Sequence, residues 1–77
     1  MTDPVQGMTG TITSSIRAAG GLGEVLVAIR GGTELYLARA DEPIEAGATV
    51  LVVAVHPGRV LDVVRWIPLA PQPAQDN

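Results

Sequence analysis

Two short runs rich in β-branched residues meet at a pair of glycines, and that junction constrains the fold more than any other stretch. Glu24 to Arg30 sets Val25, Val27 and Ile29 against Glu24, Leu26, Ala28 and Arg30, the alternation of a strand. Thr33 to Ala40 resumes the pattern after Gly31-Gly32. Both central residues of a type I′ turn need positive φ, which glycine adopts without a steric cost, so the spacing predicts a β-hairpin closed by Gly31-Gly32.

Three further strands flank this hairpin. From Gly7 to Arg17, Met8, Gly10, Ile12, Ser14 and Ile16 alternate with Thr9, Thr11, Thr13 and Ser15. The threonines favour a partly exposed first strand, and Gly7 and Gly10 suggest a bend or a close crossing by another backbone. Thr49 to Val55 is nearly continuous in apolar residues. A β-bulge near Val52 and Val53 would turn Val50, Val52, Val53 and Val55 all toward a core. After the turn His56-Pro57-Gly58, the last strand runs from Arg59 to Ile67 with Leu61, Val63 and Arg65 on one face and Val60, Asp62, Val64 and Trp66 on the other. Trp66 is expected to cap the barrel end. Between the hairpin and the fourth strand, Asp41 to Gly47 (DEPIEAG) is too short for a stable helix and contains Pro43. It is read as an acidic loop with Ile44 turned inward as a plug.

The 77 residues make one domain, Gly7 to Ile67, preceded by a flexible lead-in (residues 1–6) and followed by a Pro-, Gln- and Ala-rich tail (68–77) expected to be disordered. No cysteine is present to reinforce it. Counted together, the strands predict an all-β fold: a small five-stranded barrel of the OB type, with DEPIEAG in place of the usual helix.

Composition and motif spacing narrow the chemistry. The net charge is −3, and the five positive charges are dispersed arginines, which opposes a phosphate-gripping stripe. Ala18 to Gly23 is glycine-rich but opens a strand, and it lacks the lysine and helix of a phosphate loop. Asp41, Glu42 and Glu45 miss the alternating spacing of a calcium loop. His56 is the single histidine, sits at a turn, and has no cysteine to pair with; Ser14 and Ser15 stand in no catalytic motif. A biotinyl- or lipoyl-type carrier would need an acceptor lysine, and the chain has no lysine. No catalytic residue, metal ligand or cofactor site is expected. No run approaches the ~18 apolar residues of a membrane span, and the N-terminus lacks the basic start and apolar core of a signal peptide.

Gly7, Gly10, Gly23-Glu24-Val25, Gly32 with Tyr36 and Ala38, Pro43-Ile44 with Gly47, the Val50 to Val55 run and Leu61-Asp62-Val63 together closely resemble the NfeD-like C-terminal domain. The resemblance covers about Gly7 to Trp66. It implies an OB-type barrel that usually accompanies transmembrane helices and works as a non-catalytic interaction or scaffolding domain, with no active site to carry over. Many members are associated with stomatin/flotillin-type (SPFH) membrane proteins, which become the expected partner. The resemblance also implies a location on the cytoplasmic face of a membrane protein, or free in the cytoplasm. Tyr36 and Ala38 correspond to inward positions of the family's hairpin, so Leu35 and Leu37 point outward as the candidate interaction patch. The alternative is a single-stranded nucleic-acid-binding OB domain, in which Trp66 is the residue left to stack on bases.

Overall fold

A computed structural model of the chain describes residues 5–66. Five strands form a closed barrel: β1 (Thr9–Ser14), β2 (Leu22–Ile29), β3 (Gly32–Arg39), β4 (Thr49–His56) and β5 (Val60–Arg65). Their order around the barrel is β1-β2-β3-β5-β4, with β1 also paired to β4. Every pairing is antiparallel except β3 with β5, which run parallel over Leu37–Arg39 and Val60–Asp62. This is a small OB-type barrel in which no described residue is helical.

Alternation builds the interior. Ile12 comes from β1, Val25 and Val27 from β2, Ala38 from β3, Val50 and Val52 from β4, and Leu61 and Val63 from β5. Full burial of each branched side chain stabilises by roughly 1.5–3 kcal/mol, and these residues supply the core that the chain has no disulfide to replace. The open end is stoppered by DEPIEAG as the sequence predicts. Ile16 and Ile44 exchange both main-chain hydrogen bonds, at 2.9 and 2.8 Å, and both side chains are buried.

At Gly10 the anticipated close crossing is present, because a Cβ there would lie 2.8 Å from the Leu26 carbonyl oxygen. Gly7 has no such neighbour and instead takes a positive φ of 88°. The first strand is shorter than the pattern suggests, ending at Ser14, and its pairing to β2 shifts register between Ile12 and Ser14. Val5, within the anticipated lead-in, is buried in the core. Residues 1–4 and the anticipated tail lie outside the described residues.

Two expectations need correction. Ile29 pairs with Gly32, so the hairpin loop is Arg30-Gly31 and Gly32 is the first residue of β3. Only Gly31 takes positive φ, at 86°, which matches a type II turn and not type I′. The β4 bulge occurs where the sequence places it, since the register steps from Val52 opposite Val63 to Ala54 opposite Asp62. However, Val53 is the inserted residue and is 42% exposed. Val53 and Ala54 share the outer side, which lets Val55 return inward against the core.

Candidate interaction surface

Because β2 and β3 alternate, what they bury dictates what they display. With Ala38 inside and Tyr36 half-buried, Leu35 and Leu37 lie outside, 46% and 37% exposed. Leu26 of β2 pairs with Leu35 and is itself exposed, which the sequence reading did not single out. Register then extends the surface around the barrel, as Thr49 pairs with Thr11, Thr11 with Leu26, and Leu26 with Leu35. Beside this four-strand row, Thr9, Thr11, Leu26, Ala28, Thr33 and Thr49 line a shallow groove of about 290 Å³ floored by Gly10. Its lining is uncharged. A continuous neutral face on so acidic a chain is the kind of surface that protein partners cover.

Charged groups gather instead at the β3–β5 seam. Arg39 lies opposite Asp62 and donates from Nε to Asp62 Oδ1 at 3.1 Å. His56 Nε2 lies 2.7 Å from Asp62 Oδ2. The hydrogen bond with His56 holds the Asp62 carboxyl below its usual range; Arg39 adds to this, and partial desolvation opposes it. The sequence reading left His56 without a partner, and only the β4–β5 turn and the bulge bring it to Asp62. A cavity of about 360 Å³ adjoins this cluster, lined by Gly20, Arg39, Ala40, Asp41, Val53, Asp62, Val63 and Val64. That lining contains no serine, threonine or cysteine to act as a nucleophile. Among the described residues no three His, Cys, Asp or Glu side chains group together in a way that could hold a metal ion.

The Trp66 main-chain N–H donates to the Thr49 carbonyl at 2.9 Å, continuing the ladder, and the residue is 41% exposed. Val53 and Val64 are exposed on the same two strands. Three arginines are already engaged: Arg39 with Asp62, Arg59 with Glu34, and Arg65 with Glu45. The Arg59 guanidinium also stacks over Tyr36, 4.4 Å from the ring centroid. An exposed indole without a free basic groove is a poor platform for a nucleic-acid strand. No helix among the described residues is long and apolar enough to cross a membrane.

Comparison with known proteins agrees with this architecture. The NfeD C-terminal domain model matches residues 9–64, from the first residue of β1 to the penultimate residue of β5. The soluble domain of the NfeD protein YuaF from Bacillus subtilis is 32% identical with a TM-score of 0.73, over 87% of this chain and 80% of that one. The C-terminal domain of stomatin operon partner protein 1510-C from Pyrococcus horikoshii is also 32% identical, with a TM-score of 0.60, over 83% of this chain and 91% of that one. No curated protein matches the chain. Neither the family model nor these two structures indicate an enzyme family. With one family spanning all five strands in sequence and in fold, the chain belongs to the NfeD C-terminal domain family.

Proposed function

We propose that this barrel is a non-catalytic docking module for a stomatin/flotillin-type (SPFH) partner, and that the exposed leucines Leu26, Leu35 and Leu37, bordered by Glu24 opposite Leu37, make the contact. The observation that carries the reading is the exposure of paired Leu26 and Leu35, with Leu37 beside them, on strands that turn Val25, Val27 and Ala38 into the core. The fold does not need these leucines outside, since a polar residue would satisfy the same alternation. The similarity to the Pyrococcus domain, which comes from a stomatin operon partner protein, supports the choice of partner. The domain would act at the cytoplasmic face of a membrane protein or free in the cytoplasm.

The immobilised domain, presented to detergent-solubilised membranes of its source, is expected to retain a stomatin-like protein through nuclease treatment, as read by mass spectrometry. Leu35→Glu and Leu37→Glu should abolish capture while moving stability by no more than ~0.5 kcal/mol, the usual range for surface changes. Unchanged capture by both variants refutes the patch. Recovery of nuclease-sensitive material alone refutes the scaffold reading and favours nucleic acid.

A further inference from the structure

The barrel is closed, yet the β2–β3 hairpin runs past its closure. β5 joins β3 only from Leu37 onward, so the Gly32 to Tyr36 stretch of β3 has β2 on one side and no strand on the other among the described residues. The Leu37 N–H donates outward to the Arg59 carbonyl at 2.9 Å, which sets the parity of the edge. Leu35 and Thr33, two and four residues earlier, turn their main-chain groups the same way. Such groups form a template for another strand.

One side chain stands over this template. Arg59 Nη2 donates to the Leu35 carbonyl at 2.8 Å and to Glu34 Oε1 at 3.0 Å, and the guanidinium lies on the Tyr36 ring. The Arg59 backbone sits at φ 61°, a left-handed conformation that few residues other than glycine adopt. We propose that the Thr33–Leu35 edge of β3 is a latent self-pairing surface held shut by Arg59, and that its occupant is the β3 of a second copy of this chain.

The second copy is favoured by register. Two-fold antiparallel pairing centred on Thr33 lets each Thr33 exchange N–H and C=O bonds with its counterpart. It sets Glu34 opposite Gly32 of the other copy, so that no two carboxylates face each other. Leu35 comes opposite Gly31, where no side chain obstructs, but its carbonyl is free to pair only once Arg59 leaves. The edge shares Thr33 with the groove and Leu35 with the docking patch, but it uses their main-chain groups and not their side chains, so the Arg59 variants below test it with the docking leucines intact.

Arg59→Gly tests it, because glycine accepts φ 61° while removing the guanidinium. Sedimentation velocity from micromolar to millimolar concentration should show this variant self-associating roughly tenfold or more tightly than the parent chain. Amide hydrogen exchange should slow with concentration at Thr33 and Leu35. Adding Leu35→Pro, which deletes one of the edge donors, should reverse both effects. Arg59→Asn tolerates the left-handed region, is too short to reach Leu35, and should behave like the glycine variant. If both variants are folded and monomeric with Thr33 and Leu35 exchanging as fast as in the parent, or if they associate with protection elsewhere, the inference is overturned.

Discussion

His56 and Asp62 close a 2.7 Å hydrogen bond across the β4–β5 hairpin, on the carboxylate whose other oxygen receives Arg39 from β3. One carboxylate thereby ties three strands together at the place where the barrel closes.

A pH dependence follows from that tie. The folded chain holds the Asp62 carboxyl below its ordinary value of 3.8, so between the folded and unfolded values the unfolded chain binds more protons. The contribution to stability is therefore present above the ordinary aspartate value and is lost as pH falls through the folded one. Asp62→Asn should lower the denaturation midpoint at neutral pH and flatten its decline in acid. An unaltered acid limb in urea titrations would show that the contact carries no linkage. Glu45, lowered by its main-chain hydrogen bond and by Arg65, contributes in the same direction.

The displaced hairpin turn makes two neighbouring glycines unequal. Gly31 needs its positive φ, whereas Gly32 has an ordinary strand backbone and open space where a Cβ would stand. Gly31→Ala should destabilise by about 1 kcal/mol or more, while Gly32→Ala should be neutral or stabilise by about 0.4–1 kcal/mol through the unfolded state. Equal shifts of the two thermal midpoints would restore the turn to Gly31-Gly32.

Ile44 does the work of an absent helix from a loop of seven residues read as DEPIEAG. Ile44→Ala leaves a void against Ile16 at the barrel end and should cost about 2–5 kcal/mol in chemical denaturation. A loss under ~0.5 kcal/mol would mean the plug is dispensable.

These cases also show where sequence patterning succeeds. Val25, Val27 and Ile29 announce β2 because one buried face imposes a period of two, and Pro43 with the brevity of DEPIEAG rules out a helix by backbone chemistry alone. The bulge was legible from the change in valine parity, but the residue it expels was not. Val52 and Val53 are the same side chain, and their fates differ because Asp62 of β5 faces two β4 residues. Leu35 and Leu37 could be placed outside once the family resemblance set Tyr36 and Ala38 inward, whereas Thr11 and Thr49 joined them only through barrel closure. The partnership of His56 and Asp62 was equally hidden, since it depends on the turn and bulge geometry.

The parallel seam bears on how the chain reaches this state. Leu37–Arg39 meets Val60–Asp62 across a separation of 23 residues, with only three pairs to compensate for closing that loop. The β2–β3 hairpin, by contrast, closes over two residues, Arg30 and Gly31. Folding should therefore begin in the hairpin and end at the seam, with transition-state φ-values high near Val25 and Tyr36 and low near Leu61. The last contacts made would be the first to open, so brief excursions from the native state should expose the valines of β4 and β5 before those of β2.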